Sequence, residues 1–201
     1  MTQSDLESYD LAAAAESARH ATTDRDLHEM IDVMTQGAVF LLSAQAAVVF
    51  RWSPGTESFS ETYGFGIFDE TPPLAALRNS PVTRLLLDHR GLYEVGDTRL
   101  GAWPSALGEL GIRAFLGLKL EARSQPMGVL YLGFNEPRST FTQRERNHVN
   151  LLGNQLALAL SQARLIEELS ATHSQLLRYV QDLRHAFSEL RRRDQAGGGR
   201  D

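Results

Sequence analysis

Residues Ile112 to Phe134 read Ile-Arg-Ala-Phe-Leu-Gly-Leu-Lys-Leu-Glu-Ala-Arg-Ser-Gln-Pro-Met-Gly-Val-Leu-Tyr-Leu-Gly-Phe. The first half alternates. Phe115, Gly117 and Lys119 fall on one face, and Ala114, Leu116, Leu118 and Leu120 on the other. A period of two is the signature of a strand half buried on a sheet. The pattern predicts strands over 112–121 and 127–134, joined through Ala122 to Pro126 as a β-hairpin.

A second hairpin lies upstream. Ala46 to Trp52 is rich in strand formers, Ser53-Pro54-Gly55-Thr56 is a turn signal, and Phe59, Glu61, Tyr63 and Phe65 alternate. Before it, Leu27, Ile31, Met34, Ala38 and Leu41 recur at helical spacing behind a candidate cap at Asp24, which predicts a helix over 25–42. Leu6, Leu11, Ala14, Ala15 and Ala18 predict another over 5–20. Between the hairpins, Pro72-Pro73 opens an irregular region. Ser80-Pro81 starts a short helix that ends before Gly91, Leu92 to Val95 is a strand, and Gly96 to Gly111 is a loop with room for one helical turn.

From Thr142 to about Arg193 there is no proline and one glycine, Gly153. That predicts a single helix of about 50 residues, about 75 Å long, too long to bury itself on one small domain. Its second half carries a heptad. Ile166, His173, Val180 and Phe187 form one series, and Leu169, Leu176, Leu183 and Leu190 the other. The two interleave by three and four, as the a and d positions of a coiled coil do. The expected organisation is an N-terminal helix (1–23), a globular domain (24–165), a dimerisation helix (166–193) and a flexible Gly-rich tail (194–201).

Composition narrows the function. The 201 residues carry a net charge of −5, and the first 32 hold eight acids against two arginines. A basic face for nucleic acid is not expected. No cysteine is present, so disulfides, thiolate metal sites, cysteine nucleophiles and thioether-linked cofactors are excluded. The acidic N-terminus does not read as a secretory signal. The longest apolar run, Gly37 to Phe50, is broken by Ser43 and Gln45 and is too short to span a bilayer. The expectation is a cytoplasmic protein without membrane or nucleic-acid partners. Its six histidines (20, 28, 89, 148, 173, 185) are scattered without a ligand-spaced pair. With no nucleophile–base arrangement to hand, the chain is expected not to be an enzyme.

The order helix, helix, hairpin, short helix, strand, loop, hairpin, long helix resembles the GAF domain. Met127-Gly128-Val129-Leu130-Tyr131-Leu132-Gly133-Phe134 looks like that family's central strand, and Phe141-Thr142-Gln143-Arg144-Glu145-Arg146 like the start of its last helix. Leu151 to Leu160 is similar to its Ala/Gln-rich exit helix. The resemblance covers roughly 24–165 and implies an α+β fold. In that fold an antiparallel sheet of five or six strands carries helices from both chain ends on one face and a ligand cavity on the other. A long C-terminal coiled-coil helix would follow. It also implies a role in signal transduction, as in sensors of two-component systems. The bilin-binding branch usually attaches its chromophore through a cysteine, which is absent. The Asn-Lys pair of the cyclic-nucleotide branch is not matched, since Asn135 precedes Glu136. No particular cofactor is therefore indicated.

The resemblance places Phe50, Trp52, Tyr63, Phe65, Phe68, Tyr93, Trp103 and Phe115 around the expected cavity. Arg78, Arg84 and Arg113 are candidates for an anionic ligand, and His89 is the one histidine near it. A homodimer would form through Ile166, Leu169, His173, Leu176, Val180, Leu183, Phe187 and Leu190. His173, a polar residue at an a position, would pin the register. Expected partners are a small molecule, a second copy, and a histidine kinase or other output protein. The alternative is a ligand-free dimerisation or adaptor module.

Overall fold

The computed structural model describes residues 25–66 and 71–197, with side chains to Ala186 and at Ser188. The predicted helix over 5–20, the Asp24 cap, Phe68, the Phe187 and Leu190 side chains and the tail beyond Gly197 lie outside the described residues. Helix α1 spans 25–42. It is followed by β1 (Ala46–Ser53), β2 (Ser58–Phe65), α2 (Pro72–Arg78), α3 (Pro81–Asp88), β3 (Leu92–Val95), α4 (Ser105–Glu109), β4 (Ala114–Ala122), β5 (Gln125–Phe134) and α5 (Gln143–Gly197). The chain divides into a body over 21–163 and a second unit that contains α5 from Arg164 onward.

The five strands form one antiparallel sheet in the order β2-β1-β5-β4-β3. β1, β5 and β4 are interior, and the buried residues of β1 and β5 are apolar on both faces. Ala47, Val49, Leu130 and Leu132 pack under α1 and α5, whereas Val48, Phe50, Val129 and Tyr131 pack under α2, α3 and α4. The alternation in β4 has the expected phase: Ala114, Leu116, Leu118 and Leu120 lie on the α1/α5 side and Phe115 on the other. Ala122 pairs with Gln125, so the hairpin turn is only Arg123-Ser124. Both residues have positive φ, 53° and 62°, as a type I′ turn requires.

Two features depart from expectation. The region opened by Pro72-Pro73 is a helix. The two prolines occupy its first turn, where backbone N–H groups have no intrahelical partner and their absence costs nothing. The sheet also contains a bulge in β2. Arg51 pairs with Glu61 and Trp52 with Phe59, leaving Ser60 unpaired. One extra residue reverses the facing of everything beyond it.

At the start of α5, Thr142 and Glu145 form a reciprocal cap. Thr142 N donates to Glu145 Oε2 at 2.7 Å and Glu145 N donates to Thr142 Oγ1 at 3.2 Å. Gly153 is buried where the helix crosses β4, and a Cβ there would strike Leu118 Cδ2. No described helix is long and apolar enough to cross a membrane.

Candidate functional site

The sheet face covered by α2, α3 and α4 concentrates the aromatic residues. A chain of ring contacts crosses it. Trp52 meets Phe59 (5.1 Å between centroids), Phe59 meets Phe50 (6.2 Å), Phe50 meets Tyr131 (5.8 Å) and Tyr131 meets Phe115 (5.5 Å). Beyond Phe115 the chain forks to Tyr93 (6.4 Å, stacked) and Trp103 (5.6 Å, perpendicular), and His89 closes edge-on against Tyr93 at 5.0 Å. The middle is buried, since Phe50 and Phe115 have no exposed surface. The two ends are half-buried: Trp52 at one, Tyr93, Trp103 and His89 at the other. Edge-to-face and offset ring pairs of this kind add to area burial, and half-buried ring faces are suited to stacking on a planar ligand.

A buried polar network sits in the middle of this face. Thr83, fully buried on α3, donates from Oγ1 to the Leu77 carbonyl at 2.6 Å, and the same oxygen lies 2.8 Å from the Tyr131 hydroxyl. Thr83 has one proton and gives it to Leu77, so Tyr131 must be the donor to Thr83. Ser80 caps α3 through Thr83 N and stands 3.2 Å from Thr83 Oγ1. Burial raises the Tyr131 phenol well above its ordinary value, partly offset by the Thr83 hydrogen bond. The network holds neutral groups at neutral pH.

The arginines are not brought together. Arg84 lies over the Trp52 ring at 5.6 Å and donates to the Glu57 carbonyl, beside the β1–β2 turn. Arg78 donates to Thr62 at 3.1 Å. Arg113 precedes β4 at the opposite end of the sheet and pairs with Asp97 at 3.2 Å. The backbone N–H of Arg99 and then the Arg113 guanidinium hold the Asp97 carboxyl below its ordinary range. Among the described residues no group of three His, Asp or Glu side chains is placed to hold a metal.

Of the residues singled out in the sequence, Phe50, Trp52, Tyr93, Trp103 and Phe115 therefore share one face, with Arg84 and Arg113 at its two ends. Tyr63 and Phe65 lie across the sheet in the α1 layer. Tyr63 donates to Glu61 and packs on His28 at 5.2 Å, and Phe65 packs on Phe40 at 6.0 Å. The bulge at Ser60 is the cause. It leaves Phe59 with Trp52 on the aromatic face and turns Tyr63 and Phe65 away. Sequence reasoning missed Phe59, Thr83 and Tyr131. Tyr131 was accessible from its parity with Val129, but the other two depend on a bulge and on a tertiary contact.

Along α5 from Arg164, the described large apolar residues with substantial exposure are Leu165, Ile166, Leu169, Leu176, Leu177, Tyr179, Val180 and Leu183. Every one falls at an a, d, e or g position of the heptad, with Leu169 71% and Leu183 59% exposed.

The GAF domain family model matches residues 24–161. Among solved structures, a two-component sensor histidine kinase domain from Sinorhizobium meliloti, described as putative, superposes with a TM-score of 0.56 at 13% identity, covering 68% of this chain and 91% of that one. The GAF domain of an Acinetobacter phosphoenolpyruvate-protein phosphotransferase gives 0.54 at 14% identity, covering 83% and 98%. A GAF domain from Synechocystis sp., in its photoproduct state, gives 0.54 at 23% identity, covering 71% and 98%. At these identities the likeness establishes the fold. Comparison with curated protein sequences finds no match. With the family model covering the whole sheet and the first turns of α5, the chain belongs to the GAF domain family.

Proposed function

We propose that this chain is a cytoplasmic sensory module that forms a parallel homodimer through α5 and acts by binding rather than by catalysis. The observation that carries the reading is the exposed apolar row on α5. Isolated exposed leucines are ordinary, but a heptad-spaced row confined to a, d, e and g is the surface of a coiled-coil strand. His173 breaks the row between Leu169 and Leu176, and a polar a residue favours a single register. The half-buried rings at the two ends of the aromatic face form the ligand-reading surface. A small molecule or partner that prefers one packing of that face would shift the balance between two arrangements of the domain. The heptads would carry the difference to an output protein such as a histidine kinase, as a rotation or register change.

A second reading, a ligand-free adaptor that dimerises and recruits a kinase or regulator, is favoured by one observation. The centre of the aromatic face is closed to solvent, with Phe50, Leu77, Leu86, Leu107 and Phe115 each at 1% exposure or less. The two readings share the dimer.

The cysteine-free chain allows a direct test. A nitroxide on Gln181→Cys, at a b position, is expected to show strong dipolar coupling to its symmetry mate in a parallel in-register pair. A spectrum of isolated spins at micromolar protein contradicts the dimer and with it both readings.

A further inference from the structure

Strand β3 is four residues long and lies at the edge of the sheet, paired with β4 alone. Successive side chains of a strand point to opposite faces, and here both faces are engaged. Tyr93 faces the aromatic side, with its ring against Phe115 (6.4 Å), Trp103 (6.2 Å) and His89 (5.0 Å). Glu94, the next residue, faces α5. Its carboxylate accepts two hydrogen bonds from one guanidinium, from Arg146 Nε at 2.6 Å and from Arg146 Nη2 at 2.9 Å. A two-point arginine fork fixes direction as well as distance. Arg146 lies in the first turn of α5, where its backbone N–H donates to the Thr142 carbonyl, and it follows directly on the capping Glu145.

The two ends of β3 are held unequally. At the C-terminal end the Gly96 carbonyl accepts from Arg138 N at 2.8 Å, and a Cβ on Gly96 would strike the Arg138 carbonyl. Arg138 is itself clamped over the Phe134 ring at 4.0 Å and donates to Glu145 at 2.6 Å. At the N-terminal end Gly91 has a left-handed backbone (φ 85°) and open space where a Cβ would stand. The strand is fixed at Gly96 and can pivot from the Gly91 end. The geometry points to β3 as a lever. Displacement of Tyr93 on the aromatic face moves Glu94, and Glu94 carries Arg146 and the first turn of α5 with it. Signalling is thereby assigned to the Tyr93–Trp103 end of the aromatic face. At the other end Arg51, the strand neighbour of Trp52, pairs with Glu61 on β2. The lever rests on the reading of the half-buried rings as a ligand surface, and it names the route by which occupancy reaches the helix.

The test needs no ligand. Tyr93→Leu removes the ring that a ligand would displace, and Arg146→Met severs the fork while keeping an apolar stem. Amide hydrogen exchange of the full-length chain is followed by mass spectrometry over residues 146–150, in both single variants and the double. Phe59→Leu, on the same aromatic face but on β2, controls for a general loss of stability. The expected result is that Tyr93→Leu speeds exchange over 146–150 by about threefold or more, the scale at which residues along a coupled route act. Once Arg146 is replaced, Tyr93→Leu should add nothing further. If Tyr93→Leu does not fold, Trp103→Leu beside it is read in the same way. Unchanged exchange over 146–150, an equal increase with Phe59→Leu, or the same increment with and without Arg146 overturns the lever. Each of those results leaves the ligand surface and the coiled-coil dimer standing, because bound mass and subunit count decide them.

Discussion

Replacing Thr83 by valine is predicted to cost more than removing the tyrosine hydroxyl it serves, and the argument is one of proton accounting. Thr83 Oγ1 gives its proton to Leu77 O at 2.6 Å and accepts from Tyr131 at 2.8 Å. Tyr131→Phe removes one donor and leaves Thr83 bonded to Leu77, with Ser80 still beside it. An ordinary net hydrogen bond is lost, about 1 kcal/mol. Thr83→Val keeps the volume but strands the Tyr131 proton in a site where that ring is 2% exposed. It also strips the Leu77 carbonyl of one of two partners, since Ser80 N still reaches it. One unsatisfied buried donor plus a lost bond amounts to about 2–3 kcal/mol. In the double variant the stranded proton is gone, so adding Tyr131→Phe to Thr83→Val should recover about 1 kcal/mol, a coupling expected only of contacting groups. Urea unfolding followed by the fluorescence of Trp52 and Trp103 measures all three. The reasoning is refuted if Thr83→Val costs no more than Tyr131→Phe, or if the second substitution destabilises on top of the first.

Three further outcomes follow from the same structure. Arg123 and Ser124 both hold positive φ, so the pair Arg123→Asn, Ser124→Gly should raise stability by about 1 kcal/mol in the same urea assay, because Asn-Gly adopts that turn with less strain. Gly153→Ala should destabilise although alanine is the better helix former by about 1 kcal/mol. The added Cβ meets Leu118, and overpacking costs about 1–3 kcal/mol, so a rise in melting temperature would contradict the close crossing of α5 and β4. Burial works against ionisation of Glu145, but the Thr142 amide and hydroxyl, then Arg138, outweigh it and hold its carboxyl below the ordinary value. A depressed carboxyl contributes stability that is present above its unfolded pKa of about 4.3 and lost as the pH falls through the folded value. Glu145→Gln should therefore lower stability at pH 7 and flatten the decline towards pH 3, read as urea midpoints across that range.

Most of the architecture was legible because local pattern and tertiary role agree in it. The alternation of Ala114 to Leu120 and the unbroken run after Thr142 admit one reading each, and the cap at Ser80-Pro81 lies where its chemistry puts it. What escaped depends on single residues whose effect is not local. Ser60 looks like any exposed strand serine, yet as a bulge it sends Tyr63 and Phe65 to the α1 layer and brings Phe59 to Trp52. Pro72-Pro73 read as a breaker because the same ring that ends a helix interior is tolerated in a first turn. Thr83 carries no sequence signal at all. Its partner Tyr131 is 48 residues away, and only the packing of α3 on β5 joins them. The aromatic face was thus visible as a set of ring-bearing segments, but which rings share it was decided by sheet register.

Native mass spectrometry of the protein, purified without denaturation and sprayed at low micromolar concentration, tests the central claim most directly. The account predicts a dimer at twice the 22.3 kDa chain mass. Extra mass would show a bound small molecule and favour the sensor, and a bare dimer would favour the adaptor. A chain that remains monomeric contradicts the account, because the exposed row from Leu165 to Leu183 would then have no partner.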